Sequence, residues 1–224
     1  MMNNKRGVIV AFCGADASGK TTVVNYLLDK LCKTTENNEW HYYKYPNRST
    51  PIGQKIDKIL KGELVVDKQT ELKFFADNRK EDIKQILKIV YNGGNILLDR
   101  YVYCSLAYTF TNQVKDVLSF KQINLMTFNE IIKYDKGCIK PDFVYLIKAN
   151  HLHTRTNSEI YDMDNSDREL LYNNYIVALL NTTSRFCILD NSGDIEQTIY
   201  KIFIHLNKFV INSSDIASST VERF

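Results

Sequence analysis

The uninterrupted apolar run Val8-Ile-Val-Ala-Phe-Cys13 leads straight into Gly14-Ala-Asp-Ala-Ser-Gly19-Lys20-Thr21. From Lys20 to Lys33 the apolar residues Val23, Val24, Leu27, Leu28 and Leu31 then recur at helical spacing. Six apolar residues without polar alternation suit a strand buried on both faces, a situation confined to parallel sheets covered by helices. The intervening octapeptide fits G-x-x-x-x-G-K-[ST]. Its glycines let the backbone curl until N–H groups converge on an anion, and the helix that follows adds positive potential at its N-terminus. Such a loop cradles nucleotide phosphates. Gly14, Ala15, Asp16, Ala17, Ser18, Gly19, Lys20, Thr21 and Thr22 are therefore the expected nucleotide-binding residues, with Lys20 reaching the β/γ-phosphates and the Thr21 hydroxyl on Mg²⁺. Average residue usage would produce this octapeptide by chance in a chain of this length about once in a hundred.

Further along, Ile96-Leu-Leu-Asp99 is an apolar strand ending in a carboxylate and followed at once by Arg100. A strand-terminal Asp is often only a turn starter. Beside a phosphate loop it has the form of the carboxylate that sits near Mg²⁺, which makes Asp99 a second metal-holding candidate with Thr21. The remaining pattern alternates. Strands are expected at His41–Tyr45, Phe143–Ile147 and Phe186–Leu189. Helices are expected at Ile52–Leu60, Asp67–Val90, Arg168–Leu180 and Asp194–Asn207, and over most of Tyr101–Tyr134 with a break near Asn112–Ser119. Five strands separated by helices predict an α/β protein of the P-loop NTPase fold: a five-stranded parallel sheet with helices on both faces. Residues 1–210 read as one domain, with the polar stretch 148–167 as a short lid and 211–224 as a polar, frayed tail.

Composition narrows the partners. A net charge of +3 over 224 residues is too mild for a nucleic-acid polymer footprint, and no apolar run approaches the ~20 residues of a membrane helix. The five cysteines (13, 32, 104, 138 and 187) are odd in number and scattered, which points to free thiols and a reducing, cytoplasmic setting, with nuclear presence as the lesser alternative.

The acceptor must be sought outside the phosphate loop. No guanine-reading N-K-x-D occurs. Tyr45-Pro46-Asn47-Arg48 follows the second strand, where a proline turn can aim Arg48 into a cleft. Phe75 and Arg79 lie at i,i+4 on one helix face, a ring to stack on a flat base and a donor for its carbonyl edge. Taken alone, core packing of Phe74 and Phe75 with a solvated Arg79 is the simpler account.

The ordered set Gly14–Thr21, Tyr45-Pro-Asn-Arg48, Phe75-Ala-Asp-Asn-Arg79, Asp99-Arg-Tyr101, Lys140-Pro-Asp142 and Glu159-Ile-Tyr-Asp162 resembles the thymidylate kinase family, nearest to its eukaryotic and poxvirus-like branch. The resemblance spans roughly residues 7 to 208. It implies transfer of the γ-phosphoryl of ATP to dTMP, with Mg²⁺ and a homodimer. By the same resemblance Arg48 grips the dTMP phosphate, Phe75 stacks on thymine and Arg79 binds its carbonyl edge. Asp16 lies near the sugar 3′-hydroxyl, Tyr161 crowds the 2′ position and Tyr108 is near the base. Lys20, Asp99 and Arg100 form the catalytic group. The acceptor phosphate needs no general base, so His41, His151, His153 and His205 are expected to be surface or structural.

Departures from the family pattern are Cys13 where Glu is common, Ala17 where many members carry a basic residue, and Cys104-Ser105 for Ser-Gly. Bacterial members of the family lack that loop cation and supply an arginine from the lid, so the resemblance implies a lid cation here, with Arg155 the first candidate and Arg168 the second. Other acceptors (thymidine, dUMP, dGMP) and a non-catalytic nucleotide-binding module remain the competing readings.

Overall fold

The computed structural model describes residues 6–34, 39–121, 124–149, 165–183, 185–211 and 220–224. The chain runs β1 (Ile9–Cys13), α1 (Lys20–Thr34), β2 (Trp40–Lys44), α2 (Pro51–Leu60), α3 (Lys68–Glu81), α4 (Ile83–Tyr91), β3 (Asn95–Asp99), α5 (Val102–Leu118) and α6 (Phe128–Ile132). A 3₁₀ turn (Lys133–Asp135) follows, then β4 (Phe143–Lys148), α7 (Asn165–Thr182), β5 (Phe186–Asp190) and α8 (Ile195–Ile211). The strands form one parallel sheet in the order β2-β3-β1-β4-β5.

Period-two alternation divides the sheet's side chains between two cores. Ile9, Ala11, Cys13, Ile96, Leu98, Val144 and Leu146 point to one face and pack with α4, α5 and α7 residues such as Ile86, Val102 and Tyr175. Val8, Val10, Phe12, Leu97, Tyr145 and Ile147 point to the other and meet Val23, Leu27 and Leu31 of α1 and Ile202 and Leu206 of α8. With both faces covered, the carboxyl edge of the sheet is the place where loops can build a cleft. The connections from β1 and from β4 leave in opposite directions, so β1 borders the topological switch point where ligands bind in such sheets. This is the α/β architecture of P-loop NTPases.

Three expectations change. The helix expected over Asp67–Val90 is two helices, α3 and α4, broken at Asp82 (φ −91°, ψ −6°). The break lets Ile83, Ile86 and Val90 pack on the sheet while Leu72, Phe75 and Arg79 line a cavity. Conversely, α5 runs unbroken through 112–118 and stops at Ser119. Its polar residues are anchored instead: Asn174 of α7 donates to the Thr111 hydroxyl at 2.9 Å, and Lys115 pairs with Asp167. The frayed-tail reading also fails for residues 220–224. Lys140 donates to the Glu222 carbonyl (2.8 Å), Phe224 donates to the Cys138 carbonyl (2.9 Å), and the Phe224 ring meets Tyr103 edge-on at 6.0 Å. Residues 212–219 lie outside the described residues.

Lys140-Pro-Asp142 proves to be a strand-entry clamp. Asp142 accepts from Arg6 Nη1 (2.9 Å), Arg6 Nη2 (2.6 Å) and the Ile9 amide (2.9 Å), joining β1 to the start of β4. The two side chains are only 5% and 11% exposed. Removing one member of a buried pair strands the other charge. Asp142→Ala is therefore expected to lower unfolding free energy by about 3 kcal/mol in urea titrations, and a change under about 0.5 kcal/mol would show the pair to be solvated instead.

Candidate active site

The phosphate loop is shaped by close backbone approaches. Gly14 has φ +140°, and a Cβ there would lie 2.3 Å from the Ile147 carbonyl oxygen of β4. No side chain fits. Ala17 adopts φ +59°, the left-handed setting that lets consecutive amides converge on an anion. Two outer supports hold the loop: Tyr175 donates to the Gly14 carbonyl (3.1 Å) and Asn191 to the Ser18 carbonyl (3.1 Å). Lys20 is buried and reaches back to the Ala15 carbonyl and the Ser18 hydroxyl. Thr21 is half-buried and Thr22 exposed in the first turn of α1.

Sheet register brings the second acidic element to this loop. Phe12 pairs with Asp99, and Asp99 in turn pairs with Lys44 of β2. The Thr21 hydroxyl donates to Asp99 Oδ2 at 2.7 Å, and the Tyr42 hydroxyl donates to the same oxygen at 3.0 Å. Asp99 is fully buried, and its Oδ1 has no hydrogen-bond partner among the described residues. A buried carboxylate oxygen without a donor is costly unless a cation or ligand meets it. The donor set, carboxylate plus hydroxyl, is hard and oxygen-only, which fits Mg²⁺. Burial, then the Asp99 charge, raises the Tyr42 phenol well above its ordinary range, so it stays a donor.

A cavity of about 730 Å³ opens beside Asp16 and Thr21. Its walls come from three motifs far apart in sequence: Tyr45–Arg48, Leu72, Phe75 and Arg79 of α3, and Arg100, Cys104, Ser105 and Tyr108. Arg100, at φ +65°, pairs with Asp16, and the Tyr108 hydroxyl donates to Asp16 Oδ2 at 3.1 Å. The volume suits a nucleotide, and the wall chemistry is mixed apolar and cationic, as an aromatic ring bearing a phosphate requires.

A family model for thymidylate kinase matches residues 12–202. The chain belongs to the thymidylate kinase family. It is 30% identical to the thymidylate kinase of Plasmodium falciparum over 172 residues, 75% of this chain and 76% of that one. With the Leptospira interrogans enzyme (serovar copenhageni) the identity is 29% over 204 residues, 91% of this chain and 97% of the relative. The solved thymidylate kinase of Candida albicans shares the fold, with a TM-score of 0.78, 22% identity and 98% coverage of both chains. As a member of this family the chain is a phosphotransferase.

In this family member, the two phenylalanines that the sequence left ambiguous separate cleanly. Phe75 lines the cavity, whereas Phe74 lies under Lys55, whose Nζ is 5.4 Å from the ring centre. Arg48 also lines the cavity, with its guanidinium paired to Asp57 at 2.7 Å. Arg79 corrects the simpler account directly. It is 2% exposed, not solvated, and its Nε donates to Asp135 Oδ1 at 2.8 Å. Arg155 and Tyr161 lie outside the described residues, and Arg168 is half-buried in the first turn of α7.

Several supporting residues carried little sequence signal. Asn78 is fully buried and accepts from the Asn47 amide (2.7 Å) while donating to the Thr50 hydroxyl (2.9 Å), which fixes the turn that carries Arg48. Its place inside the Phe75–Arg79 motif was its only mark. Cys13 and Cys104 meet beneath the loop. Burial raises the Cys13 thiol; burial also pushes up at Cys104, but hydrogen bonds with Cys13, Tyr175 and the Tyr101 backbone together with the Arg100 charge lower it. His205 packs among Phe143, Tyr145 and Phe209, a structural position.

Asp99→Asn keeps size and shape and removes the charge. Phosphoryl-transfer kcat is expected to fall by about a hundredfold or more, with the thermal midpoint nearly unchanged; a variant with undiminished kcat would remove Asp99 from the chemistry.

Proposed function

We propose that this chain transfers the γ-phosphoryl of ATP to the 5′-phosphate of dTMP, giving dTDP. The observation that supports this most is the meeting of two sites at Asp16 and Thr21: a phosphate loop backed by Asp99, and a separate cavity bearing Phe75, Arg79, Arg48 and Arg100. One takes the donor's phosphates and the other a flat base with its own phosphate.

In this reading the backbone amides of Gly14–Thr22 and the Lys20 ammonium hold the donor phosphates. Thr21 and Asp99 would hold Mg²⁺, which when bound neutralises phosphate charge. Arg48 and Arg100 grip the acceptor phosphate, Phe75 stacks on thymine, and Arg79 donates to its carbonyl edge. Asp16, which pairs with Arg100 and accepts from the Tyr108 hydroxyl, receives the sugar 3′-hydroxyl in this reading. An acceptor phosphate is already nucleophilic at neutral pH, so the protein's work is positioning and charge neutralisation. Residues 1–210 act as one unit, with Tyr161 excluding a 2′-hydroxyl and Arg155 supplying from the lid the cation that Ala17 does not. The working form is a cytoplasmic homodimer.

A coupled ADP-release assay over dTMP, thymidine, dUMP and dGMP tests the reading. The highest kcat/KM is expected with dTMP, and magnesium removal by EDTA is expected to abolish turnover. Activity on thymidine without activity on dTMP would reject it, and ATP binding with no turnover on any acceptor would favour a non-catalytic module. Arg155→Ala is expected to lower kcat by about a hundredfold or more, by analogy with arginine fingers; wild-type turnover would remove the lid assignment.

A further inference from the structure

The 3₁₀ turn Lys133–Asp135 lies outside the cavity wall, yet its last residue touches the wall from behind. Asp135 is 1% exposed and its Oδ1 accepts from Arg79 Nε at 2.8 Å. Arg79 Nη2 sits 2.7 Å from the same oxygen, so the guanidinium meets Asp135 along one side, and this nitrogen is itself buried. Arg79 itself lines the cavity, one helical turn beyond Phe75. The turn is docked independently of the ion pair: Lys80 Nζ donates to the Tyr134 carbonyl at 2.7 Å, and the Cys138 amide donates to the Asp135 carbonyl at 2.8 Å. Asp135 is thus held in place by neighbours and points its carboxylate at the far side of the guanidinium.

We infer that Asp135 is a positioning residue for base selection, holding the Arg79 guanidinium in one orientation at the wall of the acceptor cavity. The inference rests on the dTMP kinase reading above and assigns selectivity to a residue that does not touch the substrate. A guanidinium is planar, so fixing Nε on one carboxylate oxygen also fixes the plane and direction of the remaining N–H groups. The pair has a second effect. A lone guanidinium at this burial would carry a large desolvation cost, which Asp135 offsets from outside the cavity. A fixed cationic donor favours a base with a carbonyl at that edge, such as thymine. It disfavours cytosine, which presents an amino group there and sets donor against donor.

The test compares kcat and KM for dTMP and dCMP in the full-length wild type, Asp135→Asn, Arg79→Met and the double variant, with thermal midpoints measured alongside. Asp135→Asn retains the side-chain shape and an acceptor oxygen but loses the charge. It is expected to reduce the dTMP/dCMP ratio of kcat/KM about tenfold or more, chiefly through KM for dTMP, with KM for ATP unchanged. In the Arg79→Met background the same substitution is expected to leave that ratio unchanged, because the group it acts through is gone. Replacing both partners also removes the unpaired buried charge, so the double variant keeps the comparison available if Asp135→Asn alone does not fold. A folded Asp135→Asn enzyme with wild-type selectivity would overturn the inference, as would a further loss of selectivity when Asp135→Asn is added to Arg79→Met. A wild-type enzyme inactive on dTMP would overturn the function reading itself, a result distinct from either.

Discussion

The parallel pairing of β1 with β3, which sets Phe12 opposite Asp99, is the constraint on which the site depends. It places the end of one strand, where the phosphate loop begins, beside the end of another, where a carboxylate and an arginine follow. Pairing of β3 with β2 then brings Lys44, and with it the Tyr45–Arg48 turn, to the same edge. Because both sheet faces are occupied by helices, the loops at this edge provide the cleft, and three motifs separated by up to eighty residues become neighbours. A one-residue slip in any of these pairings would move Asp99 away from Thr21 and exchange the inward and outward faces of a strand.

Three partly or fully buried ion pairs serve the fold and the site in different ways. Arg6–Asp142 lies at the opposite, amino end of the strands and joins elements; its carboxylate also accepts the Ile9 amide, so it acts as an anchor. Arg79–Asp135 is the most deeply buried and holds a guanidinium at the cavity wall. Arg100–Asp16 lies on the cavity wall itself, with both members exposed to what binds there. Buried pairs are weak evidence for stability, because desolvation offsets much of the attraction. In the two pairs at the cavity, geometry is the more informative property: each holds a planar, permanently charged group in one orientation before a ligand arrives.

Much of the site was legible from residue order, and the reasons for the exceptions are physical. The octapeptide Gly14–Thr21 is readable because one strand, one turn and one helix make the whole structure locally. Asp99 could be proposed because it ends an apolar run, but its contacts with Thr21 and Tyr42 depend on register. Phe74 and Phe75 looked equivalent, since adjacent residues on a helix differ only by about 100° of rotation, and α3 had first to be seated on its neighbours. The division of Asp67–Val90 at Asp82 was hidden because apolar spacing continues through it at nearly the same period. Residues 220–224 read as polar tail because their partners, Cys138, Ile139 and Lys140, are eighty residues away.

What the chain determined by itself was therefore its alternation of buried strands and amphipathic helices, the phosphate loop, and the inventory of cations and rings available to a cleft. These are properties of short windows, set by periodicity and by the backbone freedom of glycine. The tertiary structure alone decided which of those groups meet. It set Phe75 at the cavity and Phe74 under Lys55, put Asp57 against Arg48 and Asp135 behind Arg79, and left one oxygen of Asp99 without a donor among the described residues. Such outcomes arise where desolvation makes every buried charge find a partner, and the identity of that partner is a matter of packing rather than of sequence distance.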